Sequence, residues 1–307
     1  MWRKLKRDFK ACESPELLCL FKPVKIMGYK ALAVATCYWM PKTDFVEKIV
    51  EAVRGKVADG DFVVVSEKAI STALGSVVDE SVVKPSLSAK LICKFWMRIV
   101  WGYFLGYLCH LRWRLLCHLR EYPSDEGCRH KQVALQYAGF LQALMFGSEG
   151  GIDGSNLAYS YVSLPLSDAD KIAQQIRKQI MLKLKLHRNV CVMITDTDKT
   201  YSFRNFHFTP RPKPFRGIHS FGGFLTYVVG RMLKLRRRAT PIAVAGCKLD
   251  AESALEIAEI ANRARGHGAG RTVWEMAEKF KVKLADVSWE MLETVKHKPI
   301  VIVRNKR

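Results

Sequence analysis

The chain has 307 residues, 49% of them apolar, so it can bury a large core and is not a disordered protein. Fifty Lys and Arg residues against 29 Asp and Glu residues give a formal net charge of +21. Such a surface attracts nucleic acid, anionic lipid or phosphorylated small molecules, and the charge alone does not choose among them.

The N-terminus is basic and amphipathic but has neither an apolar signal core nor a small-residue cleavage site. We therefore expect a basic extension at residues 1–30, followed by a single elaborated domain at residues 31–307. Nine cysteines without a C-x-x-C pair indicate buried thiols in a reducing environment, which predicts a cytoplasmic protein.

The first elements alternate between strand and helix. ALAVAT, at residues 31–36, is typical of a strand, and the apolar spacing of Phe45–Val53 predicts a helix. A buried strand, residues 62–65, then ends at Ser66, Glu67 and Lys68. A lysine at a strand end can meet a phosphate, although it can equally be a solvated charge.

Residues 90–120 are the most aromatic part of the chain. Only thirteen residues separate Arg98 from Arg112, against the roughly 20 apolar residues that a membrane-spanning helix needs. We expect a core helix or a subunit-contact helix, with an interfacial membrane helix as the alternative.

Two acidic loops follow apolar runs. In GSEGGIDGSN, residues 147–156, Glu149, Asp153 and Asn156 offer oxygen ligands among glycines that permit close approach. The second loop contains Asp196, Thr197 and Asp198 at the end of a buried strand. Taken alone, the first loop is more typical of an Asp/Asn-rich turn, whereas two such loops could share one cation.

The remaining elements are read from capping and turn signals. Ser167 and Asp170 predict the cap of one helix, and Asp250 predicts the cap of another. Residues 240–245 predict a short strand, and residues 288–294 predict a helix. Residues 209–238 are rich in Pro, Gly and Arg. Near them, Phe206, Phe208 and Phe215 interleave with Arg204, Arg211 and Arg216, which indicates either a nucleic-acid contact or an ordinary basic loop. The GHGAGRT loop, residues 266–272, offers backbone amides to an anion before a helix capped by Thr272.

The order of these motifs carries a family resemblance. DGDFVVVSEKAIS, GGIDGSN, ITDTDKT, ATPIAVA and PIVIVR occur in the order found in the coenzyme F-420 gamma-glutamyl ligases, and the chain resembles a divergent, archaeal-type member. The resemblance implies a mixed α/β (α+β) fold, an intertwined homodimer, GTP as substrate and a divalent metal, Mn or Mg. It also implies amide-bond formation between a carboxylate acceptor and an amino acid such as L-glutamate, through an acyl phosphate.

The same resemblance implies roles for individual residues. The catalytic and metal-binding aspartates correspond to Asp153 and Asp196, with Thr197 as a further metal position. The implied nucleotide contacts are Glu67, Lys68, Asn156 and Thr240. The chain departs from the family pattern at Thr72, where a lysine is usual, and at Gly246, where an aspartate is expected.

Two other functions are compatible with the sequence. The departures at Thr72 and Gly246 favour a nucleotide-binding relative without catalysis, and the charge of +21 favours an RNA-binding protein. We prefer the ligase function. It predicts a nucleotide and a small-molecule acceptor as partners, and we expect no membrane span.

Overall fold

The structure is a computed structural model that describes residues 24–26, 28–147, 149–186 and 189–305. Most of the predicted N-terminal extension lies outside these residues. The sheet begins at Val24, before the predicted domain start at residue 31. The strands are β1 Val24–Ile26, β2 Tyr29–Thr36, β3 Phe62–Ser66, β4 Val77–Asp79, β5 Tyr161–Ser163, β6 Cys191–Phe203, β7 Phe206–Thr209, β8 His219–Ser220, β9 Arg236–Ala245 and β10 His297–Asn305.

Helices cover both faces and one end of the sheet. They are α1 Phe45–Val53, α2 Glu67–Leu74, α3 Leu87–Leu91, α4 Gly106–Leu108, α5 Trp113–Arg120, α6 Glu126–Tyr137, α7 Phe140–Ala143, α8 Ala169–Leu184, α9 Phe224–Met232, α10 Ala251–Arg265, α11 Val273–Phe280 and α12 Trp289–Glu293. A π-helical segment, Ile92–Leu105, joins α3 to α4, and we call residues 87–108 the long helix.

The main sheet is mixed, as the predicted α/β fold requires. Its order is β1-β2-β10-β3-β6-β7-β8, and β9 pairs with β6. The pairs β3–β6 and β7–β8 are parallel, and the other pairs are antiparallel. Because β3 and β6 are parallel neighbours and Ser66 pairs with Thr195, the end of β3, which Glu67 follows, lies beside Asp196 in the middle of β6. The sequence predicted a strand end at Asp196, but β6 continues beyond it to Phe203.

Alternate residues of the central strands enter different cores. Val63 and Val65 pack with α1, α2 and α8, while Val64 packs with α10 on the opposite face. This alternation follows from the two-residue period of a strand, and it explains why the central strands are apolar at every position. The helices between residues 87 and 143 pack with α9, and we call them together the helical unit. A third core lies within this unit and includes Cys93, Met97 and Trp101 of the long helix.

Several predicted elements are confirmed, and others are corrected. α1, β3 and α12 occupy the predicted positions, and Asp250 and Thr272 cap their helices as expected. The predicted cap at Ser167 is wrong, since α8 begins at Ala169 after an Asp168 whose side chain makes no capping bond. The basic stretch 209–238 is not one loop, because it contains β8 and α9.

The cysteines differ in part from the expectation of free thiols. Cys93, Cys109 and Cys128 are buried and free, as predicted. Cys191 and Cys247 instead form a disulfide between the start of β6 and the residues after β9. Among the described residues, no helix is long and apolar enough to cross a bilayer.

Candidate active site

A cavity of about 530 Å³ lies beside the end of β3 and the middle of β6. Its walls bring together side chains from segments far apart in the sequence. Lys68, Asp153, Asn156 and Thr197 all line it, so four of the predicted site residues share one space. Glu67, Asp196 and Thr240 do not face this cavity.

Lys68 and Asp153 form the polar centre of the cavity. The Lys68 ammonium donates to the Asp153 carboxylate, to the Ser155 carbonyl at 3.0 Å and to the Ser155 hydroxyl at 2.8 Å. The other Asp153 oxygen accepts from the Ser155 amide at 2.7 Å. Lys68 is therefore fixed against the acidic loop rather than being a solvated strand-end charge, and all three of its donors are used.

Asn156 holds the GHGAGRT loop in place. Its side-chain oxygen accepts from the Ala269 amide at 2.5 Å, and its side-chain nitrogen donates to the Gly270 carbonyl at 2.9 Å. The Gly270 amide donates to the His267 carbonyl, and the Arg271 amide donates to Glu275. Those three amides are already satisfied within the protein, so they do not offer the anion site that the sequence predicted.

Beneath the cavity, Arg211 joins two of the predicted residues. Its guanidinium donates to Glu67 at 2.5 Å and also to Asp196, and all three side chains are buried. Burial raises the pKa of Glu67 to about 7, against the opposing effect of Arg211. Asp196 therefore has a protein cation as partner, and Arg211, expected in a basic loop, is an internal residue.

The remaining predicted residues lie around Asp196. The Thr197 amide donates to the Asp196 carboxylate at 2.6 Å. The register of β6 against β9 shifts between Asp196 and Lys199, a β-bulge, and Thr197 and Asp198 line the cavity there. Thr240 is fully buried, and its hydroxyl bonds to the Asp198 carbonyl at 2.7 Å. Thr240 supports the strand from behind and does not line the cavity.

The two departures from the family pattern have different surroundings. Thr72 lines the cavity, and its hydroxyl donates to the Lys68 carbonyl at 2.8 Å. The lysine that the resemblance implies at this position would therefore lie at the cavity wall. Gly246 has a φ of 97°, and a Cβ there would lie 2.5 Å from the Val190 carbonyl oxygen. Gly246 directly follows β9 and lies beside the start of β6. It is six residues from Thr240, which is roughly 20 Å along an extended strand. An aspartate would neither fit at 246 nor reach the cavity.

Glu149 has a structural role that the sequence did not reveal. Its carboxylate is fully buried and accepts from Lys131 and from His130 Nε2 at 2.9 Å, and His130 Nδ1 lies 2.7 Å from Glu80. Burial lowers the pKa of His130, but the two carboxylates outweigh this effect and raise it to about 10. Glu149 thus anchors the acidic loop to α6 and is not available as a cation ligand.

The donor set limits the kind of metal site that the cavity can provide. The described residues contain no group of three His, Cys, Asp or Glu side chains placed to hold an ion. The oxygens of Asp153 and Thr197 do face the cavity. One or two carboxylate ligands are sufficient for a Mg²⁺ or Mn²⁺ ion whose other ligands are phosphate oxygens and water, so the residues fit a phosphate-bound metal.

Sequence reasoning missed Arg211, Arg265 and the His130–Lys131 pair. Each lies far along the chain from the acidic groups near it, and each occurs in a sequence that resembles a basic surface segment. No sequence pattern marks His130 and Lys131 as inward-facing, because they follow Arg129 in a run of three basic residues that is typical of a solvent-exposed helix face. For the two arginines, no sequence pattern marks burial.

Comparison with known proteins identifies the family of the chain. Residues 34–211 match the family described as F420-0:Gamma-glutamyl ligase. The Uncharacterized protein MJ1361 of Methanocaldococcus jannaschii is 35% identical over 289 residues, which cover 90% of this chain and 97% of that protein. The matched segment contains Lys68, Asp153, Asn156, Asp196 and Arg211. The chain belongs to the F420-0:gamma-glutamyl ligase family.

Proposed function

We propose that this protein is a GTP-dependent ligase that joins a carboxylate acceptor to an amino acid such as L-glutamate. In this reaction the γ-phosphoryl group of GTP passes to a carboxylate oxygen of the acceptor, leaving GDP. The amine nitrogen then attacks the acyl carbon, an amide bond forms, and phosphate leaves with the electrons of the broken C–O bond.

The observation that carries the proposal is the Lys68–Asp153 pair at the wall of the cavity. A fixed ammonium beside a carboxylate can bind phosphate oxygens and a cation side by side. Because the three Lys68 donors already have acceptors, a phosphate oxygen would replace one of them, and the Asp153 contact is the one that a cation would release.

A divalent ion, Mn²⁺ or Mg²⁺, is part of the proposal. When bound, it would neutralise phosphate oxygens and stabilise the charge that develops during transfer. Asp153 and Thr197 would hold it from the cavity wall. Asp196 lies directly behind Thr197 and could take part only if it shares its carboxylate with Arg211. Glu67 and Thr240 then act on the nucleotide site indirectly. Glu67 positions Arg211, and Thr240 positions the β-bulge at Asp198.

Asp153→Asn tests this proposal because it keeps the shape of the loop and removes one charge. We expect Mn²⁺-dependent GTP binding to weaken at least ~10-fold, which corresponds to ~1.4 kcal/mol, with little change in the melting temperature. Isothermal titration of GTP with and without Mn²⁺ measures this effect.

The matched control is Asp168→Asn, an exposed carboxylate before α8 that lies away from the cavity. Its GTP affinity should equal that of the wild type. Equal affinities for all three proteins, or wild-type binding without any metal dependence, would contradict the proposed site.

A second candidate function is nucleotide binding without catalysis. The contact between Arg211 and Asp196 favours it, because this carboxylate already has a cationic partner. Thr72 favours it too, since the wall has lost a cation. Glutamate-dependent release of phosphate from GTP, measured in the presence of carboxylate acceptors, separates the two functions.

The proposed working form is a homodimer. Apolar side chains recur every four residues along one face of the long helix and remain exposed: Leu87, Leu91, Phe95, Ile99, Tyr103 and Tyr107. A contiguous apolar face of this kind is typical of a protein contact. We propose that a second copy of the chain covers it, which agrees with the subunit-contact helix expected from the sequence.

A further inference from the structure

A second cavity, of about 610 Å³, borders the first at the end of α10. The two share Arg265, the start of the GHGAGRT loop and Lys296 and Lys298 before and within β10. Among the described residues that line the second cavity are two further basic side chains, His267 and Lys279, and no Asp or Glu. The described lining of the second cavity therefore carries basic side chains and no acidic one.

Arg265 stands at the boundary between the two cavities. Its hydrogen bond to the Thr195 hydroxyl is long, at 3.4 Å, and its Nε is buried without a hydrogen-bond partner among the described residues. Burial lowers the pKa of this guanidinium to about 10. The nearby carboxylate is Asp196, which is already bound by Arg211. A partly buried cation left in this condition costs folding free energy.

A structural role at the helix end does not account for this geometry. Cations in the last turn of a helix interact favourably with its dipole, and Arg263 already occupies that turn. Arg263 is exposed and pairs with Glu259 at 2.9 Å, as expected for a stabilising surface charge. Arg265 is less exposed than Arg263, so it loses solvation, and among the described residues it gains only the long bond to Thr195 and no ion pair.

We infer that Arg265 binds an anionic group, a phosphate or a carboxylate, of a ligand that extends from the first cavity into the second. The inference rests on the proposed function, because that ligand is the one held at Lys68 and Asp153. Arg265 lies beyond the segment 34–211 that matches the family, so the match does not assign it. The geometry suits a ligand with several anionic groups along its length.

The test compares Arg265→Gln with the control Arg263→Gln, which removes the neighbouring charge on the same helix. Isothermal titration uses GTP, inorganic tripolyphosphate and a peptide of three glutamates as probes. The two simple probes are tripolyphosphate and the glutamate peptide. We expect Arg265→Gln to lower the binding affinity for at least one of them about tenfold or more. Arg263→Gln should change neither affinity by more than about twofold. The probe that loses affinity identifies phosphate or carboxylate as the group bound.

Thermal unfolding provides the second readout. Removal of an uncompensated charge should leave the melting temperature of Arg265→Gln unchanged or raise it. A lower melting temperature with unchanged binding would assign Arg265 a structural role and overturn the inference. The inference would also fail if the wild type bound neither simple probe.

The GTP titration keeps the two proposals separate. If the wild type binds GTP and Arg265→Gln binds all three probes equally well, only the Arg265 inference is overturned. If the wild type binds tripolyphosphate through Arg265 but does not bind GTP, the Arg265 site stands and the proposed nucleotide is wrong.

Discussion

Gly151 shows how a single missing side chain makes room for the buried arginine beneath the cavity. Its φ is 100°, and a Cβ at this position would lie 2.7 Å from Cζ of Arg211. Arg211 needs that space to reach both Glu67 and Asp196. The glycine-rich loop therefore admits an internal guanidinium, whereas the sequence suggested that its glycines admit a ligand.

Gly151→Ala should displace Arg211 and destabilise the protein strongly. The left-handed backbone costs ~1–2 kcal/mol for a residue with a Cβ, and loss of the buried ion pairs adds about 3 kcal/mol. Gly147→Ala is the matched control, because its φ is 81° but a Cβ there has no described neighbour within 4 Å. Urea unfolding measures both variants, and equal losses of stability would show that the Arg211 contacts contribute nothing.

At the scale of elements, the acidic loop is attached to the helical unit by four charged side chains. The contacts run from Glu80 to His130, then to Glu149 and to Lys131, so that negative and positive side chains alternate. Lys131 and Glu149 are fully buried. Burial raises the pKa of Glu149, but Lys131 and His130 together hold it well below its usual range. The network fixes the start of the loop that carries Asp153, so the position of the cavity wall depends on it.

The protonation of His130 predicts a pH dependence of stability. Its pKa in the folded protein is about 10, above the ordinary value of 6.5, so the charged form is stabilised by folding. This contribution is fully present below pH 6.5 and is lost as the pH rises from 6.5 to about 10, by up to ~1.4 kcal/mol per pH unit.

His130→Gln should remove that dependence while keeping a polar side chain. We expect the variant to be less stable than the wild type at pH 7 and the difference in unfolding free energy to shrink towards pH 10. Urea unfolding at pH 7, 8, 9 and 10 measures the difference, and a constant gap would mean that His130 is not charged in the folded protein.

At the scale of the whole molecule, the net charge of +21 opposes self-association, whereas the exposed face of the long helix favours it. Added salt screens the repulsion and leaves the apolar contact intact. The proposed homodimer should therefore strengthen as salt is raised. Light scattering after size-exclusion chromatography, at low and at moderate salt, gives the mass.

Leu91→Glu should shift that equilibrium to the monomer by placing a charge in the contact. Leu182→Glu is the matched control, since Leu182 is a similarly exposed leucine, 62% against 68%, on α8 instead. A wild type that is monomeric at every salt concentration, or two variants that behave alike, would refute the proposed contact.

The RNA-binding alternative loses part of its basis in the tertiary structure. Of the interleaved Arg and Phe residues that suggested it, Arg211, Phe208 and Phe215 are buried. The positive charge remains, so non-specific and salt-sensitive attraction to polyanions is still expected.

The sequence by itself determined the elements whose signals are local. Apolar periodicity located α1 and β3, and the caps at Asp250 and Thr272 marked where helices begin, because these signals depend on neighbours within a turn or two. The order of motifs also identified the family, since it requires no knowledge of contacts. Lys68, Asp153, Asn156 and Thr197 were found in this way, and the structure brings them together.

Only the tertiary structure decided which charges face the cavity and which face each other. Asp153 and Asp196 look alike in sequence, as acidic residues after apolar runs, yet one pairs with Lys68 at the cavity wall and the other with Arg211 beneath it. Glu149 forms an ion pair with Lys131 of the helical unit. Arg265 lies at a cavity boundary and has no ion pair among the described residues. Partners separated by tens or hundreds of residues meet only when the chain folds, and the environment of a charge is set by those partners rather than by its own residue type.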